Sequence, residues 1–373
     1  MFNGLIMESS IKRRKTRAVY IGPVKVGGGA PVSVQSMTKT DSADVIATVR
    51  QIKELEKLGC EIIRLAIPTH QAALALSQIK KKIRIPIEAD IHFNPKLALE
   101  SIKQGVDSVR LNPGNITDPE AIAAIVKSAR RSGIPIRVGL NSGSVKGWFK
   151  SGLRSKIAPG KGIPKSNWQA ISEAALEYAK YLQSLHFSDI MISLKASDVV
   201  TTVNAYRYVA GKCDYPLHLG VTASGTIEDA TVKSAIGIGG LLLDGIGDTL
   251  RVSITGAPHD EVKIGYKILQ SLGLRKTGLE VISCPTCGRC KMDIVRITEK
   301  LKGLLKNTQS LNGKDIKVAI MGCVVNGPGE AEECDIGIAG GDGFGFLFKQ
   351  GKRIRKIPES KIVTELIKEI KAL

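Results

Sequence analysis

"ADVIATVRQIKELEKLGCEIIRLAI", residues 43–67, changes its hydrophobic period in the middle. Up to Leu58 the apolar residues Val45, Val49, Ile52 and Leu55 recur every three or four positions, the spacing of one helix face. After Gly59 the pattern becomes a β-branched run, "EIIRLAI" (61–67), the composition of a buried strand. The same step recurs on both sides. Further runs stand at "PVSVQS" (31–36), "IRIPIEAD" (83–90), "DSVRLN" (107–112), "IPIRVGLN" (134–141), "DIMISLK" (189–195), "YPLHLGV" (215–221) and "DTLRVSIT" (248–255). Strand–helix alternation implies parallel strands with right-handed crossovers. Eight units over roughly 230 residues predict a (β/α)8 TIM barrel, for which about 250 residues is typical. A doubly wound open sheet shows the same alternation, and counting strands does not separate the two.

The fifth crossover breaks the rhythm. "GSVKGWFKSGLRSKIAPGKGIPKSNWQ" (143–169) is rich in Gly, Lys and Ser, and is expected to be a solvated surface insertion, with a basic loop near the barrel mouth as the sharper alternative. The character changes again near 278–282. Beyond it the pattern predicts a helix (291–306), a strand (314–321), a Gly-rich loop, a strand (334–339), a hairpin at "KQGKR" and a last helix (359–371). The fold class is therefore α/β: a barrel over 1–278 followed by a smaller α/β domain over 279–373.

The chain has 373 residues, with 54 Lys and Arg against 35 Asp and Glu, a formal charge of +19 that suits an anionic substrate, an acidic protein or nucleic acid. Aromatic residues make up only 4%, and the cations are scattered rather than interleaved with rings, which argues against nucleic acid. No apolar run approaches the ~20 residues of a membrane helix. The basic stretch in "MFNGLIMESSIKRRKTRAVYIG" lacks the apolar core and cleavage site of a secretory signal, so the expected location is cytoplasmic. Glycines in "GIGIGGLLLDGIGD" precede a strand instead of following one, which argues against a nicotinamide site, and no GxxxxGK[ST] string supports ATP chemistry.

In a (β/α)8 barrel, chemistry collects at the carboxyl ends of the strands. The eight runs place there Arg64; Asp90 with His92; Arg110 and Asn112; Arg137 and Asn141; Ser193, Lys195 and Ser197; His218 and Thr222; Arg251 and Ser253. Five cations on one mouth, with Asp90 the only obvious counterweight, are costly without anions. Guanidinium forks match phosphate oxygens, so a substrate with two phosphates is the economical explanation.

Five of the seven cysteines lie in the second domain: Cys284, Cys287, Cys290, Cys323 and Cys334. Cys60 and Cys213 read as buried small residues. "SCPTCGRC" (283–290) can grip a metal ion or a cluster corner, but the second close pair that a structural zinc favours is missing. An iron–sulfur cluster can draw its remaining ligands from a separate loop. "MGCVVNGPGE" (321–330) offers Cys323 and, beyond a Gly-Pro-Gly turn, the carboxylate of Glu330. A ferredoxin-like set that includes Cys290 stays open.

"ISCPTCGR" followed by "MGCVVNGPGEA", after "PVSVQSMT", "IEADIHFN", "VRLNPGN", "LKASD" and "GIGDTLRVS", resembles the bacterial hydroxymethylbutenyl diphosphate synthase family over residues 17–345. The resemblance implies a TIM barrel that binds 2-C-methyl-D-erythritol 2,4-cyclodiphosphate and a sulfite-reductase-like domain carrying a [4Fe-4S] cluster. It implies Cys284, Cys287, Cys323 and Glu330 as cluster ligands, and Arg64, Arg110, Asn112, Arg137, Asn141 and Lys195 as substrate contacts. The implied activity is that of an iron–sulfur oxidoreductase of isoprenoid biosynthesis. It opens the ring and removes a hydroxyl with two electrons from flavodoxin or ferredoxin, giving (E)-4-hydroxy-3-methylbut-2-enyl diphosphate. It further implies a homodimer in which one subunit's cluster domain caps the other's barrel, with no nucleic-acid or membrane partner. The chain departs from the family at "HLGVTASG", where Ala223 replaces an active-site glutamate, and at Cys290, normally not a thiol. Ala223 leaves Asp90, His92 and Glu330 as the catalytic candidates, and admits a cluster-bearing paralogue with altered activity as the alternative.

Overall fold

In the computed structural model, which describes residues 11–222, 224–276, 278–305 and 315–373, the chain divides between Arg275 and Lys276 into two units. Residues 11–17 run extended along the first unit into the hairpin β1 (Ala18–Ile21) and β2 (Val24–Gly27). The parallel strands are β3 (Ser33–Met37), β4 (Ile62–Ala66), β5 (Ile87–Ile91), β6 (Ser108–Leu111), β7 (Ile136–Asn141), β8 (Ile190–Lys195), β9 (His218–Leu219) and β10 (Thr249–Leu250). Their order is β8-β7-β6-β5-β4-β3-β10-β9. A single parallel bridge, Ile192 to Leu217, joins the two ends of that row and closes the barrel. The open-sheet alternative is thereby ruled out. Glycine and proline shorten the last two strands: Pro216 precedes β9, Gly220 ends it, and Gly247 (φ 124°) leads into β10.

The helices between strands form where the period requires. Val45–Lys57 starts at Asp44, whose side chain accepts from the Ala47 amide, and buries Val49, Ile52 and Leu55. Two features differ from the sequence expectation. The hairpin β1–β2 was not legible; Val19, Ile21 and Val26 pack against Ile62 and Met191, at the amino-terminal ends of β4 and β8, and floor the barrel. The 143–169 insertion is a largely exposed loop only over 159–166. Short helices at Val145–Phe149 and Gly152–Ile157 bury Trp148, Leu153 and Arg154, and Glu177 of the next helix accepts from Trp148 Nε1 at 3.0 Å and Arg154 Nε at 3.4 Å. One apolar ring at the right position turned a polar stretch into packed structure.

The second unit is a five-stranded sheet in the order β11 (Gly278–Ser283), β12 (Asp315–Met321), β13 (Ile336–Gly340), β14 (Phe344–Lys349), β15 (Lys352–Pro358). The first three strands are parallel and the last two antiparallel. Helices Ile294–Leu305 and Ile362–Lys371 cover one face with Ile297, Leu301, Leu366 and Ile370. Among the described residues the other face carries only the six-residue helix Gly327–Glu332. Strand β11, absent from the sequence expectation, begins at the glycine that follows the boundary.

Trp148→Ala should destabilise the barrel by about 3–5 kcal/mol, the usual cost of deleting a buried aromatic side chain. Urea unfolding followed by circular dichroism checks this; a loss below about 1 kcal/mol, typical of surface changes, would show that the insertion is dispensable.

Candidate functional site

Side chains that alternate inward on the barrel strands form polar layers. Arg64, Asp90, His92, Arg110, Asn141, Ser193, Lys195, Thr222, Arg251 and Ser253 line the cavity at the carboxyl end. Asp90 Oδ1 accepts from Arg110 Nη1 at 3.0 Å, and Asp90 Oδ2 lies 3.7 Å from Arg64 Nε. Burial alone would raise the Asp90 carboxyl, but the Arg110 and Arg64 guanidiniums outweigh it and hold it well below the usual carboxylate range. Asp90 is thus a fixed anion that positions two guanidiniums, and an unsuitable proton source. Arg110 Nη1 also meets His92 Nε2 at 2.9 Å. Asn115 Nδ2 lies 2.9 Å from His92 Nδ1, so both ring nitrogens face donor groups, and a neutral imidazole accepts from only one of them.

Glycine makes this arrangement possible. A β-carbon at Gly139 would lie 2.1 Å from Arg110 Nε, and one at Gly220 would lie 3.1 Å from Lys195 Cε. Arg110 therefore crosses flat over β7, donating to the Gly139 carbonyl at 2.7 Å, and Lys195 extends across β9. Lys195 Nζ is buried without a hydrogen-bond partner, as are both ring nitrogens of His218 below it in sequence register. Burial first, then the charges of Arg64 and Arg251, push the Lys195 ammonium well below its ordinary value of 10.5.

Two expected contacts do not line the cavity. Arg137 is fully buried one layer down, in a close ion pair with Glu88. Asn112 is buried with its side-chain oxygen accepting from the Gly114 amide, closing a turn. Asp90 is not the only acid among the cations, as the sequence reading had it. Glu88 neutralises Arg137, and Glu261, from the helix Pro258–Ser271, takes Arg251 at 3.1 Å and Lys39 at 3.3 Å. Glu88 could have been read two residues before Asp90, on the same strand face. Glu261 lies on a helix and had no signal.

In the second unit, Cys284 directly follows β11 and Cys323 lies two residues past β12, its parallel neighbour. Cys287 is exposed on the first loop, and Glu330 is exposed on the Gly327–Glu332 turn. Backbone amides of Asn326 and Val325 draw the Cys323 thiol below its ordinary value, favouring the thiolate. The Gly322 amide donates to Cys284 Sγ at 3.3 Å. A β-carbon at Gly322 would meet Cys290 Sγ at 2.3 Å and Cys284 Sγ at 3.3 Å, so only glycine admits both sulfurs there. Cys290 Sγ donates to the Met292 carbonyl at 3.2 Å, and Cys334 is buried away from the loops. Among the described residues no three His, Cys, Asp or Glu side chains are drawn together as around a single ion. The donor types and their shared sheet end fit an iron–sulfur cluster better than a compact zinc site.

The GcpE TIM-barrel domain matches residues 16–266, and the GcpE protein C-terminal domain matches residues 280–372. The chain belongs to the GcpE family of enzymes. It is 51% identical, over 97% of its length and 99% of the relative's, to 4-hydroxy-3-methylbut-2-en-1-yl diphosphate synthase (flavodoxin) of Thermodesulfovibrio yellowstonii. It is 50% identical to the protein of that name in Ruminiclostridium cellulolyticum, over 98% of this chain and 99% of the other. A solved dihydropteroate synthase from Xanthomonas albilineans is similar at 13% identity and TM-score 0.47, covering 68% of this chain and 98% of its own. Ala223, the family departure singled out in sequence, lies outside the described residues.

A lysine with a depressed value costs stability wherever the unfolded chain still holds the proton, from the lowered native value up to 10.5. Lys195→Met should therefore stabilise the ligand-free protein at neutral pH by about 1–3 kcal/mol, as when buried charges give way to apolar groups. The gain should fade as pH approaches 10.5, where the unfolded lysine is also neutral. Denaturant unfolding at both pH values checks the sign; a less stable variant at neutral pH would contradict it.

Proposed function

We propose that this GcpE-family chain converts 2-C-methyl-D-erythritol 2,4-cyclodiphosphate into (E)-4-hydroxy-3-methylbut-2-enyl diphosphate, a reductive ring opening and dehydroxylation in the non-mevalonate isoprenoid pathway. The observation that carries the reading is the cationic cavity: Arg64, Arg110, Lys195 and Arg251 converge on it, and Lys195 Nζ is buried with no acceptor. A diphosphate is the ligand whose charge and oxygen count answer both facts.

The residues divide the work by position. Arg64 and Arg110, pinned by Asp90, present preset donors, so little reorganisation accompanies binding. Lys195 gains its missing acceptor from a phosphate oxygen and becomes the charged ammonium. Asn141 and Ser193 offer uncharged polar groups to the carbon skeleton's hydroxyls. Arg137 and Asn112 support the site from beneath, through Glu88 and the Gly114 turn. His92, 2.9 Å from Arg110 Nη1 at its Nε2, helps to orient that guanidinium. Cys284, Cys287, Cys323 and Glu330 would hold a [4Fe-4S] cluster, and when bound such a cluster would relay the donor's two electrons one at a time. Glu330, as the oxygen donor, is the ligand most easily exchanged for substrate. The relatives' names support flavodoxin as the electron source, with ferredoxin the other candidate. We assign the chain to the cytoplasm and to a homodimer whose cluster domains cap the partner barrels, without nucleic-acid or membrane partners. Among the described residues no helix is long and apolar enough to cross a membrane.

The second reading, a cluster-bearing paralogue with altered activity, rests on Ala223. Anaerobically purified protein should contain iron and sulfide in equal amounts and no zinc, and should turn over the cyclodiphosphate with dithionite. Product formation favours the first reading; a fully loaded cluster without product favours the second; zinc without iron overturns both. Arg110→Ala should weaken substrate binding by about 2–5 kcal/mol, because it removes a buried charge partner and also strands Asp90. Unchanged affinity would remove Arg110 from the site.

A further inference from the structure

The C-terminal sheet is covered unequally. Among the described residues, two helices bury one face, whereas the six-residue helix Gly327–Glu332 leaves the β14–β15 end of the other uncovered. On that end Phe344 and Phe346 are half-buried and meet edge to face, with centroids 5.2 Å apart. Exposed cations lie across the rings: Arg353 Cζ is 3.5 Å from the Phe346 centroid and Lys356 Nζ is 3.6 Å from that of Phe344. Neither makes an ion pair among the described residues, nor does neighbouring Lys352. The other cations of the hairpin are spoken for, Arg355 by Glu365 and Glu369 and Lys349 by Glu369.

Edge strands commonly carry lysine to discourage pairing with other chains. That accounts for charge on β15. It does not account for cations laid flat on a pair of rings in an uncovered sheet face, which is the makeup of a binding surface: aromatic centre, cationic rim. The position adds a direction. On the face of the rings, Cys284 and Phe346 pack against one apolar cluster. From Cys290 the chain runs two residues to Met292, which lies in the helix-covered face and packs on Gly340, where a β-carbon would lie 2.7 Å from Met292 Cε. The next residue, Gly341, underlies the Phe344 ring, and a β-carbon there would lie 2.4 Å from Phe344 Cζ. The Asp293 amide donates to Glu359 Oε1 at 3.2 Å, just past β15. The cysteine loop and the cationic rings thus share one end of one sheet. Next to Cys323, Val324 and Val325 are 54% and 62% exposed on the loop that enters the covering helix.

We propose that the open sheet face at Phe344, Phe346, Lys352, Arg353 and Lys356 is the docking surface for an acidic electron-carrier protein. The occupant follows from charge complementarity and from continuity with the cysteine loop. It rests on the reading that electrons enter through the thiol-bearing loops. Preset cations speed encounter with an acidic partner and fix its register, and the rings exclude water from the contact.

The test uses the holoenzyme and flavodoxin. In Lys352→Glu/Arg353→Glu/Lys356→Glu the Kd for flavodoxin at low salt, read by titration calorimetry, should rise about tenfold or more, with the difference shrinking as salt is added. Turnover with dithionite, which needs no docking surface, should stay within about twofold of the parent, as for surface changes remote from substrate. An unchanged Kd overturns this surface whatever the turnover. Absence of turnover in the parent with either electron source overturns the reaction instead. Should the charge reversal disturb folding, seen as lost dithionite turnover, the milder Arg353→Gln/Lys356→Gln pair decides by its Kd. A rise supports the surface, and no change overturns it.

Discussion

The barrel mouth is organised by a shortage of negative charge. Asp90, Glu88 and Glu261 each take one or two cations, and the residue left over is Lys195. A buried amine with no acceptor is unfavourable in the ligand-free protein, so the fold carries that cost where substrate binding can remove it. Arg64 and Arg110 are held by Asp90, whose carboxyl lies too far below the usual range to act as a proton donor. The site is thus built to receive charge, and the proton chemistry must be served by groups other than Asp90.

Small residues decide whether this can be assembled. Gly139 lets Arg110 lie across a neighbouring strand, Gly220 does so for Lys195, and Gly322 lets two sulfurs share one side of a backbone turn. A methyl group would collide with Arg110 Nε at Gly139 and with Cys290 Sγ at Gly322, and would crowd Lys195 at Gly220. Backbone that gives way to side chains is a recurring device in this chain, and the sites depend on it as much as on the charged residues. The two units also use the same logic of strand ends: the cations gather at the carboxyl ends of the barrel strands, and the cysteines at the carboxyl ends of β11 and β12.

Much of this was legible in the sequence because periodicity reports burial. The eight β-branched runs became the eight barrel strands, and Arg64, Asp90, His92, Arg110, Asn141 and Lys195, read at or near their ends, line one cavity. Depth along a strand was harder. Arg137 and Asn141 share a face, yet four residues of rise put the first beneath the cavity and the second in it. Partners from outside the strands, such as Glu261, carried no local signal. The first part of the insertion was misjudged because its composition is polar, whereas Val145, Trp148 and Leu153 are buried there and Glu177 receives the indole.

The central claim is that Lys195 waits for a phosphate. If so, binding should change its protonation, because the native amine is depressed by burial and the bound anion restores the charge. Calorimetric titration of the cyclodiphosphate into the protein, repeated in buffers of different ionisation enthalpy at mildly alkaline pH, counts protons taken up on binding. The account predicts uptake approaching about one proton per site, abolished in Lys195→Met. Binding with no proton uptake, or uptake that survives the substitution, would contradict it.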